Sequence, residues 1–170
     1  APSAIATADF NSDGTLDLAV GLNGANTVEI YTGKGDGTFN SGVSFAVGTG
    51  PVALGVGDFN GDKKMDLAVA NYTASSVTVL LNTSSVSTLS FSHASGSPYA
   101  TGSNPTSLAV ADFNGDKHLD LAVGSFAGEN VTMLLGSATG SFTEGTALFV
   151  GQPLLSVAAA DFDGDGKIDL

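Results

Sequence analysis

The sequence predicts an all-β fold assembled from repeats, and three observations lead to this. Short segments rich in Val, Leu and Phe are bounded by Gly, Asn and Asp and show no sustained helical period. A nine-residue acidic phrase occurs four times, and similar apolar segments surround each copy. The copies begin at residues 9, 58, 112 and 161, so the repeat unit is about fifty residues long.

Each repeat contains four predicted antiparallel strands. The first is a small apolar segment that begins at a proline seven or eight residues before the acidic phrase (Pro2, Pro51, Pro105 and Pro153). The second starts on the last residue of the phrase, as at 66–69, and its lack of alternation predicts burial on both faces. The third, as at 76–81, alternates and is expected nearer solvent. A glycine-rich turn and a Phe-containing strand, as at 35–39, close the unit.

Four strands in a repeat of forty to fifty residues predict one blade of a β-propeller. We expect residues 1–170 to form a single repeat array, with units at about 2–50, 51–104 and 105–152 and a partial unit at 153–170. The second unit has five additional residues within 83–104, which predicts a lengthened loop or a wider hairpin.

The length of the chain bears on how a ring would close. A ring of seven such blades needs about 350 residues. The chain is therefore expected to be a fragment of a larger propeller, which is the favoured case, or one of several chains that close a ring together. The remaining blades would come from missing sequence or from other chains.

The acidic phrase places Asp or Asn at positions 1, 3, 5 and 9, and apolar residues at positions 2 and 8 that are expected to anchor the loop in the core. Calcium binds 6 to 8 oxygen atoms at roughly 2.3 to 2.6 Å and tolerates irregular geometry. Alternate side chains of a short loop can surround such an ion. The sequence therefore predicts up to four Ca²⁺ ions, one in each loop. Magnesium fits less well because it demands octahedral geometry and keeps its waters.

The predicted ligands are the side chains at positions 1, 3, 5 and 9 and the backbone carbonyl at position 7. Asp and Asn also favour turns for local reasons, but turn preference does not predict the same four positions filled four times. The predicted metal-site residues are Asp9, Asn11, Asp13, Thr15, Asp17, Asp58, Asn60, Asp62, Lys64, Asp66, Asp112, Asn114, Asp116, His118, Asp120, Asp161, Asp163, Asp165, Lys167 and Asp169.

Two positions distinguish this phrase from other calcium loops and its copies from one another. Position 12 is valine in the first three copies, where an EF-hand needs a bidentate Glu, so the EF-hand is excluded. Position 6, where glycine normally makes the sharp turn, is Gly14 and Gly166 but Lys63 and Lys117. A left-handed backbone at a lysine costs on the order of 1 kcal/mol, and its charge lies near the ion. The second and third sites are therefore expected to be weaker.

The charge of the chain is concentrated in these loops. Thirteen of the seventeen acidic residues lie in the four phrases, and the formal net charge is -12. The chain has five lysines and no arginine, so it has little positive charge with which to neutralise phosphates. Nucleic acid and anionic membranes are therefore not expected partners. No apolar stretch approaches the roughly 18 to 20 residues that span a bilayer, so no membrane insertion is expected.

The residue types predict a binding module, and no catalytic residue or organic cofactor is expected. There is no cysteine nucleophile, no Gly-x-Ser-x-Gly elbow and no phosphate-binding loop. His93 lies in the serine-rich stretch of the second unit, and His118 occupies a position that needs only a carbonyl. Calcium loops favour the extracellular side, where modules can work with dissociation constants of about 10⁻⁴ to 10⁻³ M. Three sequons, at Asn71, Asn82 and Asn130, could carry sugars in a secretory eukaryote.

The chain resembles the FG-GAP or VCBS repeat family. The resemblance rests on Asp-Phe-Asn-Gly-Asp with a closing hydrophobic-Asp pair, then Leu-Ala-Val, a Val-rich strand and Gly-Asp-Gly-Thr-Phe, and it covers essentially the whole chain. Proteins of this family include the head domain of integrin α subunits and some propeller lectins. The resemblance implies a propeller, commonly of seven blades, with calcium in the hairpin between the first two strands of a blade.

The resemblance also implies a function. It favours a secreted or cell-surface module for recognition or cell adhesion, with a carbohydrate ligand as in the propeller lectins. A protein ligand, as in integrin-like adhesion, is equally compatible with the residues. A third possibility is the accessory or catalytic propeller of a secreted polysaccharide-degrading enzyme, which would need a cleft carrying His, Arg, Tyr or Lys outside the calcium loops.

Overall fold

The computed structural model describes residues 1–85 and 88–170, and the described residues form fourteen β-strands in three antiparallel sheets. Each sheet is one blade. Blade 1 contains β1 (Pro2–Ala8), β2 (Asp17–Leu22), β3 (Thr27–Tyr31) and β4 (Val43–Ala46). Blade 2 contains β5 (Pro51–Gly57), β6 (Asp66–Asn71), β7 (Ser76–Asn82), β8 (Phe91–His93) and β9 (Tyr99–Ala100). Blade 3 contains β10 (Pro105–Ala111), β11 (Asp120–Ser125), β12 (Asn130–Gly136), β13 (Phe142–Glu144) and β14 (Leu148–Phe149).

The strands of each blade follow one another in chain order across the sheet, as expected for a propeller blade. The outer edge differs from the expectation in blades 2 and 3, because a fifth short strand pairs with the third strand there. β8 and β9 both pair with β7, and β13 and β14 both pair with β12. The outer strand of these blades is therefore interrupted, and its two pieces continue the same sheet edge.

Part of the additional length of the second unit lies in its outer hairpin, where Asn82 pairs with Phe91, while in blade 3 Gly136 pairs with Phe142. The connection from β7 to β8 runs over residues 83–90, and Thr83 and Ser90 are joined across it by a backbone hydrogen bond of 2.9 Å. This agrees with a lengthened hairpin in the stretch 83–104. Residues 86–87 of this stretch lie outside the described residues.

Each complete blade begins with the same local irregularity. The pairing of the first and second strands shifts register directly after Pro2, Pro51 and Pro105. Proline has no N–H to give to the ladder, so it is tolerated at the first residue of a strand or at a bulge. The repeated proline therefore marks the start of each first strand, as the sequence predicts.

Two hydrophobic cores lie between neighbouring blades, and β6 belongs to both. Leu67 and Val69 pack into the core shared with blade 1, which includes Phe10 and Ile30. Ala68, on the opposite face of β6, packs into the core shared with blade 3. Burial of the second strand on both faces is confirmed in blades 2 and 3, where all six residues of β6 and of β11 are buried.

The third strand is only partly as predicted. β3 alternates between buried and half-buried residues, but six of the seven residues of β7 are buried. The expectation that the third strand lies nearer solvent is wrong for blade 2. Blade 2 has a neighbour on each side, so both faces of β7 are covered by packed side chains.

The apolar anchors of the acidic phrase are also only partly as predicted. Phe10 and Phe59, at position 2, are buried, but Phe162 is exposed. Leu16, at position 8, is 66% exposed, while its counterparts Met65 and Leu119 pack against the core shared with the preceding blade. The preceding blade thus covers the position-8 side chains of blades 2 and 3. No blade precedes blade 1 in the structure, so Leu16 stays exposed.

The fourth unit has only begun within residues 153–170. Ala160 and Asp169 form a single antiparallel bridge, and the Thr106 hydroxyl donates a hydrogen bond of 2.7 Å to the Leu154 carbonyl, which holds this segment along blade 3. The molecule therefore contains three complete blades and the start of a fourth in an open array. The described residues include no helix with the length and apolar character needed to cross a membrane.

Candidate metal-binding loops

The four acidic phrases form four loops of the same shape. We call them the first loop (residues 9–17), the second (58–66), the third (112–120) and the fourth (161–169). In the three complete blades the loop joins the first strand to the second. The position-1 side chain accepts hydrogen bonds from the backbone amides of positions 5 and 6, the position-3 side chain from that of position 5, and the position-5 side chain from that of position 7. Their oxygens therefore turn toward one short stretch of chain.

The first loop shows this bonding in detail. The Asp9 carboxylate accepts from the amide of Asp13 at 3.1 Å and from that of Gly14 at 2.8 Å. The Asn11 side-chain oxygen accepts from the same Asp13 amide at 3.0 Å. The Asp13 carboxylate accepts from the Thr15 amide at 2.8 Å. The same four hydrogen bonds recur in the other three loops, with distances between 2.8 and 3.2 Å.

The sixth position of every loop has the left-handed backbone that the sequence analysis considered. The φ angles are 87° at Gly14, 69° at Lys63, 71° at Lys117 and 84° at Gly166. Glycine adopts this conformation freely, whereas a residue with a Cβ does so at a cost. At the sixth position the second and third loops therefore carry backbone strain that the first and fourth do not, whereas the first loop has its own left-handed non-glycine residue at position 4, Ser12, with φ of 59°.

The ninth residue of the loop holds the hairpin together. Asp17, Asp66 and Asp120 are fully buried. In each, one carboxylate oxygen accepts from the amide of position 2 in the same loop, and the other accepts from the end of the third strand or the residues just after it. For Asp17 these donors are the amides of Phe10 and Gly33, both at 2.8 Å. The ninth aspartate thus has a structural role in addition to its predicted role as a metal ligand.

The environments of the carboxylates shift their pKa values in opposite directions. Burial raises the pKa of Asp17. Burial also raises the pKa of Asp66, to about 6, although the backbone hydrogen bonds that the Asp66 carboxylate accepts act in the opposite direction. A hydrogen bond from the Thr15 hydroxyl, with others from the Thr15 amide and a neighbouring amide side chain, lowers the pKa of Asp13. Asp112 is desolvated, yet three or more backbone amides lower its pKa below the usual value. Asp13 and Asp112 are thus suited to remain charged, and a cation beside the buried Asp17 or Asp66 would favour its ionisation.

The fourth loop brings three carboxylates closest together. One oxygen from each of Asp161, Asp163 and Asp169 lies within 4.8 Å of the others. Oxygens bound to one calcium ion at 2.3 to 2.6 Å are at most about 5 Å apart, so this spacing fits calcium. In the other loops position 3 is Asn, and no trio of carboxylates among residues 1–85 and 88–160 meets that limit. All the predicted side-chain donors are carboxylate or amide oxygens, the set that calcium prefers.

The side chains at position 7 have different contacts from loop to loop, and Thr15 contacts both the Asp13 carboxylate and a group outside the loop. The Thr15 hydroxyl reaches the Gly33 carbonyl at 3.2 Å, and the Lys64 ammonium donates to the Ser84 carbonyl at 2.9 Å. In the fourth loop the Lys167 ammonium lies 3.3 Å from the Asp165 carboxylate, both of them exposed. The predicted ligand at this position is the backbone carbonyl, and that assignment stays a prediction.

Two cavities lie beside the loops. A groove of about 500 Å³ borders the first loop and is lined by Thr15, Leu16, Thr38, Phe39 and glycines of both hairpins. A second cavity, of about 400 Å³, lies between the third and fourth loops and is lined by Asp112, Phe113, Asn114, Lys167, Ile168 and nearby glycines. The loops therefore border open surface on which a ligand could lie.

Two of the three sequons lie inside the fold. The side chains of Asn71 and Asn82 are buried, at 0% and 1% exposure, and both are hydrogen-bonded. A glycan on either would have to displace packed core, so neither side chain is an acceptor in the folded chain. Asn82 also contacts two of the loops, a role that the sequence does not reveal.

The fold and the loops together define a β-propeller repeat protein whose blades each carry one acidic loop. The family model described as FG-GAP-like repeat matches residues 9–69, 58–123 and 119–170. The chain therefore belongs to the FG-GAP-like repeat family.

Comparison with solved structures agrees with this fold. The chain is similar to the chain in the "Crystal structure of BBS1N in complex with ARL6DN, soaked with lead", with a TM-score of 0.60 and 16% sequence identity. The match covers 94% of this chain and 47% of that one, so the chain spans about half the length of that solved structure. No curated protein matches the sequence.

Proposed function

We propose that this chain is a calcium-binding propeller module that recognises a ligand outside the cell. The observation that supports this best is the fourth loop, in which three carboxylates lie within 4.8 Å of one another. The other three loops repeat the backbone hydrogen bonds of the fourth, with Asn in place of its third-position aspartate, and are proposed as further sites. Because extracellular modules bind calcium with dissociation constants of about 10⁻⁴ to 10⁻³ M, the extracellular side is where these exposed loops would be filled.

In this proposal calcium stiffens the hairpins. The side-chain oxygens at positions 1, 3 and 5 already accept loop amides, but the carboxylates among them repel one another without a cation. A bound ion would neutralise that charge and link the loop to the buried aspartate at position 9. When bound, the ion supplies positive charge and a fixed geometry, and the proposed role is binding and not catalysis.

A carbohydrate is the ligand that we favour, in the groove beside the first loop. Phe39 lines that groove and is 43% exposed, which offers an apolar ring to the face of a sugar. The Thr15 and Thr38 hydroxyls line the same groove. Each donates its hydrogen to a carboxylate, of Asp13 and of Asp36, so its oxygen can accept a hydrogen bond from a sugar hydroxyl. Its volume of about 500 Å³ falls within the range of small-ligand sites.

A protein ligand is the alternative, and exposed apolar side chains favour it. Leu148 and Phe149, in the outer strand of blade 3, are 55% and 74% exposed. Apolar residues grouped on a surface often mark a protein interface. The similar solved structure is, by its title, a complex of BBS1N with ARL6DN.

A glycan array in calcium and in chelator tests the favoured ligand. We expect the chain to bind carbohydrate only in calcium. Phe39→Ala should reduce that binding at least about tenfold, because the stacking ring is lost, and Thr38→Ala should also weaken it. Phe126→Ala is the matched control, since Phe126 is similarly exposed, at 40%, but does not line the groove. Equal losses in Phe39→Ala and Phe126→Ala, or silence on the array beside capture of a protein ligand, would contradict the carbohydrate assignment.

A further inference from the structure

Asn82, the last residue of β7, differs from its counterparts in the other blades. The amides of Gly33, Asn82 and Gly136 all donate to the ninth aspartate of their own loop, at 2.8, 2.7 and 2.8 Å. The three residues therefore occupy equivalent positions. Only blade 2 has a side chain there, and that side chain is 1% exposed.

The Asn82 side chain joins the first loop to the second. Its Nδ2 donates to the Phe10 carbonyl at 2.8 Å and to the Met65 carbonyl at 3.0 Å. Phe10 is position 2 of the first loop, and Met65 is position 8 of the second. The Asn82 side-chain oxygen accepts from the Ser84 amide at 2.9 Å. Both amide hydrogens and the oxygen are used, so the side chain is held in one orientation.

Phe10, which accepts the hydrogen bond from Asn82, is also held firmly in place. The Phe10 amide donates to the buried Asp17 carboxylate at 2.8 Å, and the Phe10 ring is fully buried. That ring packs edge-on against Phe91 of blade 2, with ring centroids 6.0 Å apart. A shift of Phe10 would therefore have to move or break the Asn82 contact.

The glycines in the other blades cannot make this contact. A Cβ on Gly33 would lie 2.2 Å from the Leu16 carbonyl oxygen, and a Cβ on Gly136 would lie 2.1 Å from that of Leu119. These carbonyls correspond to that of Met65, at position 8. In blades 1 and 3 the backbone approaches this carbonyl directly, whereas in blade 2 the Asn82 amide caps it. Among the described residues, a hydrogen-bonded connection through this position therefore joins only the first and second loops.

We infer that Asn82 is a positioning residue that couples the first and second loops, so that calcium in one raises the affinity of the other. This inference rests on the proposed calcium binding. The physical basis is one buried amide that contacts backbone of both loops and, through its own N–H, the ninth aspartate of the second. By linkage the effect must be reciprocal.

Hydrogen exchange measured peptide by peptide against free Ca²⁺ tests the coupling, because each loop reports its own midpoint. Asp13→Ala disables the first loop. We expect it to raise the calcium midpoint of the second loop at least about fivefold, the lower end of typical coupling, and to leave the third loop unchanged. Asp62→Ala should raise the midpoint of the first loop by the same factor. Both measurements keep Asn82 in place, so they do not depend on the folding of an Asn82 variant.

Asn82→Gly gives this position the residue found in blades 1 and 3. In that background Asp13→Ala should leave the second-loop midpoint within about twofold. Asn104→Gly is the matched control: it removes another asparagine side-chain hydrogen bond, from Asn104 Nδ2 to the Tyr72 carbonyl at 3.2 Å, between the β6–β7 turn and the connection from blade 2 to blade 3, away from the loops. Coupling should persist there.

The possible failures are distinguishable. If Asp13→Ala and Asp62→Ala each affect only their own loop while calcium protects all four, the coupling is overturned and calcium binding stands. If Asp13→Ala raises the calcium midpoint of the second loop as much in the Asn82→Gly background as in the parent chain, Asn82 does not couple the two loops. If no loop gains protection at about 10 mM Ca²⁺, ten times the weakest dissociation constants of such modules, both the proposed function and this inference fail.

Discussion

At the scale of single residues, the loops depend most on the aspartate that ends each phrase. It is buried in all three complete blades and accepts one backbone amide from its own loop and one from the far end of the hairpin. The other predicted side-chain ligands lie nearer the surface and accept backbone amides from within the loop. The ninth aspartate should therefore matter to the fold even without metal.

Asp120→Asn tests this structural role. The amide keeps one oxygen, but its NH₂ would face a buried backbone N–H that then has no acceptor. We expect the free energy of unfolding in chelator to fall by about 1 to 3 kcal/mol. Asp116→Asn, at the exposed fifth position, should change it by less than about 0.5 kcal/mol. Urea denaturation of both variants measures the difference, and equal values would contradict the account.

Lys63→Gly tests the strain at the sixth position. Its φ of 69° suits glycine, and relief of the left-handed conformation is worth roughly 1 to 2 kcal/mol before the entropy that glycine adds to the unfolded chain. We expect a net gain of about 0.5 kcal/mol in chelator and a tighter second site, because a positive charge is also removed.

Gly14→Ala is the reverse control for this strain. An added Cβ there meets no atom within 4 Å, so any loss comes from the backbone conformation alone. We expect a loss of about 1 kcal/mol in the same urea series. Destabilisation by both substitutions would show that the sixth position is not where the strain lies.

Much at this scale could be predicted from the sequence, since the spacing of the aspartates indicates a loop, and Lys63 and Lys117 stand out against the glycines of the other copies. Asn82 could not. It looks like a sequon residue, and its partner Phe10 lies 72 residues away. A pattern within one repeat does not show which carbonyl of the preceding repeat an amide will reach.

At the scale of elements, β6 determines how the blades pack. Its small and large apolar residues alternate between two cores, with Leu67 and Val69 on one and Ala68 on the other. The sequence predicts this because the segment has no polar alternation. The burial of β7 could not be predicted from its residue pattern. It arises because blade 2 has a neighbouring blade on each side.

Leu67→Ala tests the core between blades 1 and 2. Leu67 is fully buried, so the lost contacts and the cavity should lower the free energy of unfolding by about 2 to 5 kcal/mol. Ile5→Ala is the control, because Ile5 is 66% exposed on β1 and should change stability by less than about 0.5 kcal/mol. Denaturant titration compares them. A similar loss in both would mean that β1 is covered in solution.

At the scale of the whole molecule, the chain is a stack of blades in which stability comes from each unit and from its interfaces. Leu54 and Leu108, in the first strands of blades 2 and 3, pack into the cores that face the preceding blade, whereas Ile5 of blade 1 is exposed. Repetition of the acidic phrase predicts the number of blades begun. It does not predict the seven-bladed ring, because closure depends on surfaces beyond these four units.

Thermal unfolding with and without calcium tests the central claim most directly. A ligand at about 100 times its dissociation constant stabilises by about 2.7 kcal/mol for each independent site. In a domain of this size 1 kcal/mol shifts Tm by about 2 to 4 °C, so even one filled loop should raise Tm by about 5 to 10 °C. We predict at least that rise in calcium, and a smaller one in magnesium at the same concentration. An identical Tm in saturating calcium and in chelator would contradict the account.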